Sequence, residues 1–92
     1  MKLKGTEFQI LVWKEIAKIP YGQTRSYKEL AIAIGKPNSS RAVANACGKN
    51  PYAPEIPCHR VIRSDGHIGG YSGSGGKKRK KQLLEQEGLI FK

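Results

Sequence analysis

The apolar positions of this chain fall into short periodic segments separated by glycine, proline and serine. Phe8, Leu11, Val12, Ile16 and Ile19 recur at the three- and four-residue intervals that put side chains on one helical face. Thr6-Glu7-Phe8-Gln9 precedes them and reads as a capping box, with threonine and glutamine each satisfying an amide of the other's end. Pro20 stops that helix, and a loop begins at Tyr21-Gly22. Ser26-Tyr27-Lys28-Glu29 is a second capping box, opening a shorter helix with Leu30, Ala31 and Ile34 as its apolar face and Gly35 at its C-cap. After the tight turn Lys36-Pro37-Asn38, Ser39 or Ser40 caps a third helix, roughly Arg41 to Cys47, closed by Gly48. Its residues Ala42, Val43, Ala44 and Ala46 are small. Two short helices joined by a glycine-containing turn form the helix-turn-helix pattern.

The second half is less regular. Asn50 to Pro57 contains three prolines, Pro51, Pro54 and Pro57, and is a rigid, loop-like track. Cys58 to Ile62 fits either a strand or a single turn. Ser64-Asp65-Gly66 signals a tight turn of the hairpin type. Ile68 to Gly76 is rich in glycine and serine and lets a ligand approach the backbone closely. A last helix, about Lys77 to Glu87, turns Leu83 and Leu84 inward and stops at Gly88. Lys77, Lys78, Arg79, Lys80 and Lys81 sit on its first turns, where the helix dipole disfavours positive charge. They are expected on a solvated face, with phosphates nearby as the better explanation. The expected fold is mainly α: one small helical domain over 1–92, with a winged-helix-like helix-turn-helix, a short hairpin and a Gly-rich loop.

Composition narrows the partners. Ninety-two residues, 38% of them hydrophobic, bury only about two-thirds of their unfolded surface and support a modest core. No apolar run approaches the roughly 20 residues that span a bilayer, and no signal-peptide pattern follows Met1-Lys4. The expected compartment is cytoplasmic, or nuclear in a nucleated source, and the expected state is monomeric. Seventeen Lys and Arg against seven Asp and Glu give a net charge of +10, the footprint of a polyanion such as nucleic acid. Cys47 and Cys58 make neither a disulfide framework nor a zinc site, so no metal or cofactor is expected.

The remaining candidate chemistry is a free thiol. Ile56-Pro57-Cys58-His59-Arg60-Val61-Ile62 places a cysteine beside a histidine in a proline-led segment. A thiol is nucleophilic as its thiolate, and a neutral imidazole takes its proton directly or through a water. A carboxylate on the other ring nitrogen would orient the imidazole, and Glu55, Asp65, Glu85 and Glu87 are all candidates.

In this order and spacing, the motifs closely resemble the DNA-binding and catalytic domain of O6-alkylguanine-DNA alkyltransferases. The pieces include Gly5-Thr6-Glu7-Phe8-Gln9, Ile19-Pro20-Tyr21-Gly22-Gln23-Thr24, Ser40-Arg41-Ala42-Val43-Ala44, Asn50-Pro51, Ile56 to Ile62, Gly69-Gly70-Tyr71-Ser72-Gly73 and Leu83 to Gly88. The resemblance implies that Cys58 accepts the alkyl group, His59 is its base through a water, and Glu87 orients His59. It implies that the Asn50 amide braces the active-site turn. Tyr27 would donate to a ring nitrogen of a flipped base and Ser72 near its O6. The carbonyls of Cys58 and Val61 would accept from the guanine amino group, with Tyr71 and Pro54 as pocket walls. Arg41 would fill the gap left by the flipped base, on a helix whose Ala42 and Ala44 lie close to the DNA. Ser40, Lys49 and Arg60 are grouped with them as DNA-facing.

Members of this family usually carry an additional mixed α/β N-terminal domain with no counterpart here, so a partner or fused domain in its place is one expectation. The compact length is similar to that of alkyltransferase-like proteins, which bind alkylated DNA and commonly have tryptophan at the acceptor position. Two functions of different class follow. One is single-turnover transfer of alkyl groups from O6-alkylguanine, and O4-alkylthymine, to Cys58. The other is a lesion sensor that holds the flipped base and recruits excision repair. Cys58 favours transfer. Cys47 is read as a pocket or packing residue, not a second acceptor.

Overall fold

A computed structural model describes residues 3–53, 55–69 and 76–89 of the 92. The described elements, in chain order, are α1 (Glu7–Ile16), β1 (Arg25–Ser26), α2 (Tyr27–Ala33), α3 (Ser40–Gly48), a 3-10 turn (Cys58–Arg60), β2 (Val61–Ile62) and α4 (Gly76–Gln86). Both capping boxes form. Thr6 accepts from the Gln9 amide at 3.0 Å while Gln9 Oε1 accepts from the Thr6 amide at 2.9 Å. Ser26 and Glu29 repeat the exchange at 3.0 and 2.9 Å. Each satisfies two amides that a helix start leaves without intrahelical acceptors. At α3 the N-cap residue is Ser39, but its side chain makes no capping bond. Its ψ of 23° departs from the extended geometry that aims a serine hydroxyl at the first turn.

Helices α1 and α2 both pack on α3. Val12, Trp13, Ile16, Ile19, Leu30, Ala31, Val43, Ala46, Ile56 and Val61 are buried together with both cysteines. The apolar stripe on α1 runs through Val12, Trp13 and Ile16; Leu11 is 40% exposed. Trp13 satisfies its indole N–H on the Ala46 carbonyl at 2.9 Å and meets Tyr52 edge-on, tying α1 to the end of α3.

The pairing of β1 with β2 is parallel, Arg25 opposite Val61 and Ser26 opposite Ile62. The chain between them passes through α2 and α3, the long connection that parallel strands require. The Ser64–Gly66 turn is present, closed by Gly66 N–H to the Arg63 carbonyl and Arg63 N–H to the His67 carbonyl. β2 takes its partner from β1, not from the residues after the turn, so the hairpin expectation narrows to that turn.

Helix α4 departs from a uniformly solvated basic face. Lys77, Lys78, Arg79 and Lys81 are exposed, but Lys80 is fully buried beside Leu83 and Leu84 on the inward face of the helix. At the other end Gly88 adopts φ +84°, and the Gly88 and Leu89 amides return to the Glu85 and Leu84 carbonyls. This Schellman closure makes Glu87 the last residue before the turn and aims its carboxylate back toward the 3-10 turn. No described helix is long and apolar enough to cross a membrane.

Candidate active site

The 3-10 turn brings Cys58, His59 and Arg60 together at the start of β2. The Cys58 amide donates to the Ile56 carbonyl at 2.8 Å and the Arg60 amide to the Pro57 carbonyl at 2.9 Å. Asn50 braces this approach, its Nδ2 donating to the Ile56 carbonyl at 2.9 Å and its Oδ1 accepting from the Tyr52 amide at 2.9 Å. Cys58 and His59 are both buried.

Of the four candidate orienting carboxylates, Glu87 is the one at His59. His59 Nε2 donates to Glu87 Oε2 at 2.7 Å, with both side chains at most 5% exposed. Burial would raise the Glu87 pKa, but the Arg60 guanidinium, the Gly22 amide and His59 together hold it down at about 2. Burial pushes the His59 pKa below its ordinary value; Glu87 opposes this, while Arg60 and Lys80 reinforce it. Nε2 faces the carboxylate, so any proton exchange between this imidazole and a thiol would run through Nδ1, which is also buried.

Lys80, expected on a solvated face with its neighbours, is instead buried at the site. Its Nζ donates to the Val61 carbonyl at 2.5 Å and lies 5.8 Å from the centre of the Tyr27 ring. Burial lowers its pKa to about 8, against the electrostatic influence of the nearby Cys58 and Cys47 side chains. At neutral pH it is still mostly an ammonium, so a cation sits among two thiols and a phenol. Burial raises the Cys47 pKa to about 12 and that of Tyr27 to about 12. Cys47 therefore stays a thiol, consistent with a packing role, and Tyr27 stays a hydrogen-bond donor.

A cleft of about 730 Å³ opens onto this cluster, lined by residues including Tyr27, Ser40, Arg41, Ala44, Cys47 and Cys58. Arg63, Ser64 and Gly69 form another part of its wall. Gly69 has φ +71°, and a Cβ there would lie 3.1 Å from the Tyr27 hydroxyl, so the loop passes Tyr27 at a distance only glycine permits without strain. Two thiols, a phenol and the Arg41 guanidinium line the cleft, which is large enough to hold a nucleobase.

A family model described as 6-O-methylguanine DNA methyltransferase, DNA binding domain, matches residues 7–89. The chain belongs to this family. Among its relatives, the methylated-DNA–protein-cysteine methyltransferase of Mycobacterium tuberculosis (strain ATCC 25618 / H37Rv) is 53% identical over 87 residues, 95% of this chain and 52% of that protein. A probable methylated-DNA–protein-cysteine methyltransferase of Acanthamoeba polyphaga mimivirus is 52% identical over 95% of this chain and 56% of its own length. The M. tuberculosis OGT crystal structure in complex with DNA superposes with a TM-score of 0.88 at 53% identity, covering 94% of this chain and 52% of that one. S. pombe Atl1, in complex with damaged DNA containing O6-carboxymethylguanine, superposes with a TM-score of 0.81 at 36% identity, covering 95% and 81%. The chain thus spans about half the length of the methyltransferase relatives named here.

Within this methyltransferase-family domain the expected site residues separate into groups. Cys58, Tyr27, Ser40, Arg41 and Ala44 share the cleft. His59, Glu87 and Asn50 lie behind it as supports. Ala42 and Lys49 are exposed on α3 and just beyond it, and are not among the lining residues. Arg60, expected to face DNA, turns inward onto Glu87 with a side chain 16% exposed. The Val61 carbonyl already accepts from Lys80, and that of Cys58 from the Val61 amide. Pro54, Tyr71 and Ser72 lie outside the described residues. Asn45, Arg63 and Ser64 line the cleft without having been expected there. The unusual placement of lysines on early turns of α4 was the available signal for Lys80, but five adjacent cations hid which one turns inward.

Proposed function

We propose that this domain repairs alkylated DNA by moving an alkyl group from O6 of a flipped-out guanine to Cys58, each molecule acting once. The observation that carries this reading is the Cys58 thiol in the wall of a nucleobase-sized cleft, on the same turn as a His59–Glu87 pair. The thiol proton passes to the imidazole through a water, and the thiolate attacks the alkyl carbon. The S–C bond forms as the C–O6 bond breaks, and the electron pair leaves with guanine. Tyr27, held protonated, donates to the departing base where charge develops. The Lys80 ammonium is the fixed positive charge near the reacting sulfur.

A base inside a duplex is out of reach of a buried thiol, so it must leave the stack. Arg41, exposed on α3 and lining the cleft, would fill the gap. The net charge of +10 supplies the sequence-independent attraction to phosphates. O4-alkylthymine is a second substrate on the same chemistry.

The likeness to S. pombe Atl1, of which this chain covers 81%, favours a second reading in which the domain holds a lesion without transferring the group. Intact-protein mass spectrometry separates the two after incubation with a duplex containing one O6-methylguanine. Transfer adds one methylene equivalent to the Cys58 peptide and saturates at one per chain. Cys58→Ala abolishes the gain while keeping preference for the lesion duplex. No gain in the unmodified protein, with tight lesion binding, establishes the sensor instead.

A further inference from the structure

Arg60 shares the 3-10 turn with Cys58 and His59, and the transfer chemistry gives its side chain no task. It is nevertheless tightly engaged. Its Nε donates to Glu87 Oε1 at 2.9 Å and to Oε2 at 3.1 Å, and its Nη1 donates to the Ile19 carbonyl at 2.9 Å. Its guanidinium lies 5.6 Å from the centre of the Tyr21 ring. The loop that follows α1 grips the same end of α4: the Gly22 amide donates to Glu87 Oε1 at 2.8 Å, and the Tyr21 hydroxyl donates to the Gln86 carbonyl at 2.8 Å. Glu87 Oε2, which receives His59, is therefore shared with a fixed cation.

This sharing matters for proton transfer. A buried carboxylate facing an imidazole alone favours the imidazolium, and an imidazolium cannot accept a proton from the thiol. A guanidinium on the same carboxylate offsets that pull and keeps the oxygen aimed. We infer that Arg60 is a positioning residue that fixes Glu87 and takes up its charge, so that His59 rests as a neutral base. The groups facing His59 are Glu87 and Lys80 from the C-terminal segment and Arg60 beside it; the loop after α1 contributes the Gly22 amide to the carboxylate. The inference rests on the alkyl-transfer reading for its rate readout alone.

The test follows the imidazole directly. The chain has two histidines, and a His67→Gln variant assigns their NMR signals. In the unmodified protein His59 titrates below the ordinary imidazole value of about 6.5. In Arg60→Gln the titration moves up by about one pH unit, and the acid limb of the transfer rate moves with it, the rate recovering at higher pH. Arg60→Lys, which keeps the charge, retains most of the original titration. A His59 already protonated at neutral pH in the unmodified chain overturns the inference, whether or not the glutamine variant folds. So does an Arg60→Gln protein slowed equally at every pH with His59 titrating unchanged, which would make Arg60 a structural brace only. If the titration shifts as expected but the unmodified protein never alkylates Cys58, the transfer reading fails and the role of Arg60 at His59 stands.

Discussion

Replacing Lys80 by methionine keeps much of the side-chain length and removes a fully buried charge. Burial takes the lysine from its ordinary 10.5 to about 8. At ~1.4 kcal/mol per pH unit, the charged form costs the fold about 3 kcal/mol at neutral pH. Against that stand the bond to the Val61 carbonyl, about 1–3 kcal/mol when a buried acceptor is left unsatisfied, and a cation–π contact of about 1 kcal/mol with Tyr27. The two sides nearly cancel. Lys80→Met should therefore be within about 2 kcal/mol of the unmodified protein at pH 7, whereas truncating a buried apolar residue usually costs 2–5 kcal/mol.

The sign of the pH dependence is specific. Between about 8 and 10.5 the unfolded chain holds the Lys80 proton and the native chain has released it, so stability rises with pH over that window. Cys47 works in the opposite direction above about pH 9 and Tyr27 above about pH 10, but both are present in the variant and largely subtract out. Urea denaturation of the two proteins from pH 7 to 10 should show the unmodified chain gaining about 3 kcal/mol on the variant. A difference that stays flat across that range would mean that Lys80 is solvated and would refute its burial as a cation. If Lys80 also supports the thiolate, the variant transfers methyl at least about tenfold more slowly, the equivalent of ~1.4 kcal/mol in the barrier.

Two further expectations concern the supports of the site. Glu87 is held at about 2 in the folded protein, against an ordinary 4.5, so its pairing stabilises the fold above pH 4.5 and is lost as pH falls toward 2. The destabilisation caused by Glu87→Gln should shrink by about 3 kcal/mol across that window in denaturation curves; a penalty independent of pH would remove the ion-pair explanation. Gly69→Ala places a Cβ at positive φ and 3.1 Å from the Tyr27 hydroxyl. It should lower stability by roughly 1–2 kcal/mol and weaken binding of a lesion duplex, with a thermal melt and a titration as the two measurements. An alanine variant unchanged in both would show that the loop has room to yield.

The local elements were legible because their signals are local. Thr6 with Gln9 and Ser26 with Glu29 are short-range exchanges of hydrogen bonds, and both formed as read. Gly88 marked the end of α4 for the same reason. The motif around Cys58 and His59, with the order of the other motifs, was enough to place the chain in its family. Apolar spacing located the core face of α1 but could not say that Leu11 looks outward. What the sequence left open was every pairing between distant segments. Four carboxylates competed for His59 on spacing alone; the family resemblance implied Glu87, and the closure of α4 against the 3-10 turn is what brings its carboxylate to 2.7 Å from the imidazole. Five adjacent cations read alike, and only the packing of α4 turned Lys80 into the core and left its neighbours in water. Arg60 looked like a DNA contact until the loop after α1 and the end of α4 enclosed it. Caps and turns are set by residues a few positions apart, whereas the charge balance of the site depends on which buried groups the fold brings within a few ångströms of each other.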